Sequence, residues 1–173
     1  FILLGFPIAL VLAWAYEVTP HGIRKDSAGY IEAITDAPGN LENAPSIAVL
    51  PFKSLSEDIT KGYFADGVTD DIITDLSKVS GLFVVARNST FAYKDKPVKI
   101  HQVAEDLGVR YVLEGSVRRS ENRIRVTAQL IDALKGNHIW AERYDRELKD
   151  VFAIQSEVAQ KVSKALAVTI NAS

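Results

Sequence analysis

The chain contains no cysteine and no methionine. Without a thiol there can be no disulfide, no thiolate nucleophile and no cysteine-ligated metal, and the redox compartment is left open. A surplus of one charge is missing too. Lys and Arg number 20 against 22 Asp and Glu, for a formal net charge of −2. Non-specific nucleic-acid binding needs a basic surplus, so nucleic acid is not an expected partner. The histidines, His21, His101 and His138, fall in separate segments without H-E-x-x-H or a similar metal spacing. Gly62, Gly67 and Gly81 form neither G-x-G-x-x-G nor a P-loop, and no G-x-S-x-G elbow occurs. No catalytic group, metal or cofactor is therefore expected in this chain.

What is present reads as globular. Apolar residues make up 47% and charged residues 24% of 173 residues, enough for one ordinary domain with some extra chain. A start on Phe1 rather than Met reads as a fragment or a processed product.

The extra chain comes first. From Phe1 to Tyr16 the run FILLGFPIALVLAWAY carries no charge. A bilayer span needs about 20 apolar residues, so the run reads as a transmembrane helix truncated at its start, over residues 1–18. Trp14 and Tyr16 sit where aromatic rings favour the bilayer boundary, and Pro7 is tolerated in such helices. The rival readings are a buried core helix and a signal peptide cut after Ala13-Trp14-Ala15. Residues 19–45 read as a linker, rich in small and polar residues from Asp26 onward, with Pro38-Gly39 as a turn signal. Arg24 and Lys25 at its start favour a cytoplasmic side by the positive-inside tendency.

Residues 46–173 read as one α/β domain. SIAVLPF at Ser46–Phe52 is a short unbroken apolar run, as expected of a strand buried on both faces. Val68, Ile72, Leu76 and Val79 recur at helical spacing, with Asp66 placed as a cap and Gly81 as a stop. Leu82–Ala86 reads as a second buried strand, joined to the first by a right-handed parallel crossover. His101–Leu107 is a short helix ended by Gly108. Period-two alternation then runs through Tyr111–Arg118 and Arg123–Leu130, with a turn at Ser120-Glu121-Asn122, a further turn at Gly136-Asn137 and a strand over His138–Tyr144. These strands are expected to form an antiparallel meander with one face in the core and one in water. Val151, Ile154, Val158, Val162, Leu166 and Thr169 trace one face of a closing helix behind Asp150. The expected order is β-α-β-α-β-β-β-α, one mixed sheet flanked by helices.

The residues with chemistry are few. Asp66, Asp70, Asp71 and Asp75 share one helix; they suggest either a metal or acid–base site or, more simply, a solvated acidic face near the helix start. Arg118, Arg119, Arg123 and Arg125 crowd the hairpin, beside Glu114, Glu121 and Glu142 that would balance them as ion pairs. Arg87 and the string Trp140-Ala141-Glu142-Arg143-Tyr144-Asp145-Arg146 carry the residue types that anchor interfaces. Trp140 reads equally well as packing under the closing helix. The expected interaction residues are Arg87, Trp140, Arg143 and Tyr144, with Arg118 and Arg125 at the periphery.

SIAVLPFKSLSED, YFADGVTDDIITDLSKV, LFVVARNSTFAYKDK, LGVRYVLEGSVRRSENRIRVTAQLIDA and HIWAERYDRELKDVFAIQSEVAQKV together resemble the TolB amino-terminal-domain-like family, related to FlgO-type domains. The likeness runs from Ser46 to about Ala167. GFPIALVLAWAYEVTPHGIRK looks like the membrane segment that precedes such domains. The resemblance implies a non-catalytic sensory or assembly module of a bacterial inner-membrane protein, linked in relatives to tetratricopeptide repeats, class III adenylate cyclase domains or winged-helix regulators. Relatives with a further span would hold the domain in the periplasm, whereas the basic flank here points to the cytoplasm. The expected function is a membrane-anchored protein-interaction, sensory or scaffold module with the lipid bilayer and other proteins as partners. The alternative is a small-ligand or nucleotide-binding domain that regulates an attached cyclase.

Overall fold

The structure is a computed structural model and describes residues 44–56, 58 and 62–171, with side chains as far as residue 167. The apolar run, its basic flank and the linker as far as Glu42-Asn43 lie outside those residues. Among the described residues no helix is long and apolar enough to cross a membrane.

The chain runs β1 (Ser46–Val49), β2 (Lys53–Ser54), α1 (Gly62–Ser77), β3 (Phe83–Val84), α2 (Arg87–Phe91), α3 (Ile100–Leu107), β4 (Tyr111–Ser120), β5 (Arg123–Asp132), β6 (Asn137–Glu147) and, after a single 3-10 turn at Leu148–Asp150, α4 (Val151–Asn171). One mixed sheet holds all the strands in the order β3-β1-β4-β5-β6, with β2 also beside β4. β1 pairs in parallel with β3 and β4, while β4, β5 and β6 are antiparallel. The mixed α/β architecture expected from the sequence is the one observed.

Both faces of β1 are covered, which is why its residues are uniformly apolar. Ile47 and Val49 join a large cluster with Val68, Ile72 and Leu76 of α1 and Ile154, Val158 and Val162 of α4. Ala48 and Leu50 join a smaller cluster on the opposite face with Val103 and Ala104 of α3 and Val112 of β4. The helical spacings in α1 and α4 thus mark real core stripes. α3 ends as its sequence suggests: Gly108 takes φ 65° and its N–H reaches the Ala104 and Glu105 carbonyls.

Several local expectations are corrected. α1 runs from Gly62, so Asp66 sits inside the helix rather than capping it, and the helix ends at Ser77, ahead of Gly81. The Leu82–Ala86 strand shrinks to Phe83–Val84 on the sheet edge, with Phe83 52% exposed. Two elements are additional, the two-residue β2 and the five-residue α2. The meander does not present one face wholly to water, because α3 and its flanking loop cover the start of β4 on the outer side.

The break between β1 and β2 has a definite cause. Pro51 offers no N–H, and the Phe52 N–H turns from the sheet to donate to the Thr69 hydroxyl on α1 at 3.0 Å. Phe52 is then buried against Gly115 of β4; a Cβ there would lie on the Thr127 carbonyl oxygen and 2.5 Å from Phe52 Cε2. At the far end of β5 the buried Asp132 accepts from Arg110 Nη2 at 3.1 Å and from the Leu134 and Lys135 N–H groups, which shapes the turn before Gly136. Burial opposes the charge of Asp132, but these donors hold its carboxyl below the usual range.

Candidate interaction face and the adjoining cleft

Strand parity decides what the meander shows to solvent. A bulge at Leu130/Ile131 leaves Ile139 unmatched, and beyond it Leu130 faces Trp140, Val126 faces Tyr144 and Thr127 faces Arg143. Trp140, Glu142, Tyr144 and Arg146 therefore lie on the α4 side, while Ala141, Arg143, Asp145 and Glu147 are exposed on the other. On this outer face Arg118 stands opposite Arg125, which in turn stands opposite Asp145.

Asp145 takes both neighbouring arginines, from Arg125 Nη2 and from Arg123 Nη2 at 2.6 Å each. Hydrogen bonds from Arg125 first and Arg123 second hold its carboxyl below the ordinary aspartate range. The glutamates expected to balance the arginines do other work. Glu114 accepts from Gln129, Glu142 lies on the opposite face, and Glu121 is exposed at the turn with no ion pair among the described residues. Arg119 leaves the group as well, with its guanidinium 5.4 Å from the Phe64 ring of α1. Arg118 and Arg143 have no ion pair among the described residues. The outer face thus carries Arg118, Arg123, Arg125 and Arg143 around Asp145, which two of them share, with Glu147 opposite Arg123 at its end and paired to Lys149 at 3.0 Å.

Of the residues expected to form an interface, the fold brings together Arg118, Arg125 and Arg143 only. Tyr144 is a core residue, 3% exposed, which corrects its place as a surface anchor. Burial, and then the Glu142 carboxylate beside it, push its hydroxyl up to about 12. Trp140 is half-buried and packs on the same core from β6. Arg87 opens α2, where it pairs with Asp70 and lies 3.8 Å from the Phe91 ring centroid.

Two of the four acidic residues of α1 form a clamp, and Asp71 is exposed. Asp66 holds Lys94 at 2.6 Å, Asp70 holds Arg87, and Asp75 pairs with Lys78 at 3.0 Å. The first two fix the segment after β3 to the helix. Among the described residues no group of three or more His, Asp or Glu side chains could hold a metal ion. His101 and His138 are exposed on separate elements, and His21 lies outside the described residues.

Sequence reasoning missed one feature. Between Leu50–Lys53, the Tyr93–Lys99 loop and the outer side of β4 and β5 lies a cleft of about 520 Å³. Its floor carries Glu114, Ser116, Thr127 and Gln129, and its rim Lys53, Lys94, Lys96 and Lys99. Asp95 in the loop takes φ 57°, the left-handed region that non-glycine residues rarely occupy. The available signal was the lysine-rich string Lys94-Asp95-Lys96-Pro97-Val98-Lys99.

Residues 42–161 match the family described as "HilA/YgeH-like transcriptional regulator, second domain". The chain belongs to this family. This HilA/YgeH-like domain is also 62% identical over 137 residues to "Putative adenylate cyclase 3" of Rhizobium meliloti (strain 1021), a match that covers 79% of this chain and 23% of that protein. The chain therefore spans about a quarter of that relative's length. Among solved structures, TolB from Acinetobacter baumannii superposes with a TM-score of 0.53 at 20% identity, over 71% of this chain and 28% of TolB. The lipoprotein GNA1162 from Neisseria meningitidis does so with a TM-score of 0.51 at 18% identity, over 68% of this chain and 96% of that one. At those identities the likeness is one of fold. The HilA/YgeH-like domain has a TolB-like fold, as the sequence resemblance implies.

Proposed function

We propose that this HilA/YgeH-like domain is a non-catalytic protein-interaction module, held at a bacterial inner membrane within a longer signalling or scaffold protein. The observation that carries the reading is the outer face of β4–β6. Arg118, Arg125 and Arg143 come together there in strand register, on a surface that no helix covers among the described residues, around the Asp145 carboxylate. A rigid sheet that presents several guanidiniums suits an acidic protein surface, because each can make paired hydrogen bonds to carboxylates. The resemblance to a segment that is 23% of a putative adenylate cyclase supports a place as one module among others. The uncharged Phe1–Tyr16 run supports the membrane anchor, and Arg24 and Lys25 behind it support a cytoplasmic side.

Site-specific photo-crosslinking in cells tests the interaction reading. A crosslinker at Ala141, exposed on the outer face beside Arg143, is expected to trap a protein partner, and one at Phe152 on α4 is not. The double variant Arg118→Glu/Arg143→Glu should abolish the product while the domain still unfolds cooperatively. Equal crosslinking from Phe152 would remove the case for this face. A reporter after Ser173 that is active only in the periplasm would overturn the cytoplasmic placement.

A further inference from the structure

The cleft beside β1 sits where the topology opens one. α1 crosses over the large-cluster face and returns the chain to β3 on one side of β1. The next crossover, with α2 and α3, brings α3 against the opposite face and delivers β4 to the other side of β1. Two crossovers that leave a strand in opposite directions part at its carboxyl end, and open α/β sheets bind ligands in that crevice. Here the carboxyl end of β1 is Leu50–Lys53, one wall of the cleft.

Its size and chemistry match that position. About 520 Å³ lies within the range of small-molecule pockets. The rim places four lysines against Asp95 and Glu114. Lys94 is engaged by Asp66, but Lys53, Lys96 and Lys99 are exposed and have no ion pair among the described residues. Such a rim attracts an anion. The floor asks for more than an anion. Gln129 Nε2 donates to Glu114 Oε1, so the Glu114 carboxylate lines the cleft as an acceptor with capacity left over. Ser116 and Thr127 beside it can donate or accept. A bare phosphate would be repelled by Glu114; a phosphate ester with hydroxyl or amino groups satisfies both rim and floor.

We propose that this cleft binds a small organic phosphate monoester, with its phosphate on Lys53, Lys96 and Lys99 and its hydroxyl or amino groups on Glu114 and Gln129. The cleft adjoins the arginine patch but contains none of its arginines, and its proposal goes beyond the interaction reading, so either can fail alone.

Calorimetric titration of the full chain with AMP, ribose 5-phosphate and inorganic phosphate tests it. At least one of the two esters is expected to bind saturably at one site, about tenfold more tightly than inorganic phosphate. Lys53→Gln/Lys99→Gln should weaken that binding by about tenfold or more, with the unfolding midpoint unchanged. Glu114→Gln should narrow the preference for ester over inorganic phosphate, because it removes both the repulsion and the anionic acceptor. Lys161→Gln on α4 should change nothing. The proposal is overturned if neither ester saturates by about 10 mM, if inorganic phosphate binds as tightly as the better ester, or if Lys161→Gln weakens binding as much as the cleft variants do.

Discussion

Arg146 at the end of β6 and Glu157 on α4 meet through both prongs of each side chain, Nη1–Oε1 at 2.7 Å and Nη2–Oε2 at 2.8 Å. The pair ties the edge strand of the sheet to the closing helix, with 36% and 38% of the two side chains exposed. The Arg146 hydrogen bonds hold the Glu157 carboxyl below the ordinary glutamate value of 4.5. A carboxylate with a depressed folded pKa contributes stability that is full above the unfolded pKa and is lost as pH falls through the folded one. Glu157→Gln is therefore expected to flatten part of the acid limb between about pH 5 and about pH 3, where the unfolded side chain titrates first. Thermal melts across that range check it; a parent and variant with parallel acid limbs would show that the pair adds nothing to folding.

Gly115 should tolerate no side chain. Its missing Cβ is what lets Phe52 lie against β4, and the closest atoms are backbone and a buried ring. Neither can swing away, because Phe52 is 2% exposed and Thr127 is held in both neighbouring ladders. Gly115→Ala is expected to cost about 1–3 kcal/mol, the usual range for overpacking a filled site. Denaturant unfolding measures it, and a midpoint equal to the parent's would mean the β1–β2 break shifts freely.

Thr69 is the counterpart of that break on α1. Its hydroxyl is fully buried, donates to the Ala65 carbonyl at 2.9 Å and accepts the Phe52 N–H. Thr69→Val keeps the shape and strands a buried N–H, for an expected loss of about 1–3 kcal/mol. Thr69→Ser keeps the hydroxyl and should lose clearly less. Equal losses for the two would assign the cost to packing rather than to the hydrogen bond.

The long periodic segments were legible in the sequence because their patterns are set locally. Ile124, Val126, Ala128 and Leu130 are all buried on β5, and Ile154, Val158 and Val162 on α4, at the spacings their elements demand. β2, β3 and α2 were hidden or misjudged because elements of two to five residues hold no period. They exist through tertiary pairing, β2 with Ser116-Val117 and β3 with Ser46-Ile47. The acidic stripe of α1 was visible, but its partners Arg87 and Lys94 lie on a later segment. The cleft was invisible for the same reason, since its rim and floor come from three distant stretches of chain. The misplacement of Tyr144 was avoidable. A single strand cannot aim residues 143 and 144 at the same side, so one of the two had to be core.

That parity separates stability from recognition residue by residue. Tyr144→Ala removes a buried ring from the main core and is expected to cost about 3–5 kcal/mol. Trp140→Ala removes a half-buried ring on the same side, and about 1–2 kcal/mol is expected from the apolar area it covers. Neither ring reaches the outer face, so each variant should retain partner crosslinking at temperatures where it is folded. Arg143→Ala should behave in the opposite way. Its side chain is exposed and has no ion pair among the described residues, so the unfolding midpoint should stay with the parent's while crosslinking falls. Added salt should mimic that loss, because exposed guanidinium–carboxylate contacts are screened within about 10 Å at ordinary ionic strength. Crosslinking that survives Arg143→Ala and high salt but disappears with Trp140→Ala in the folded state would move the interface to the α4 side of β6.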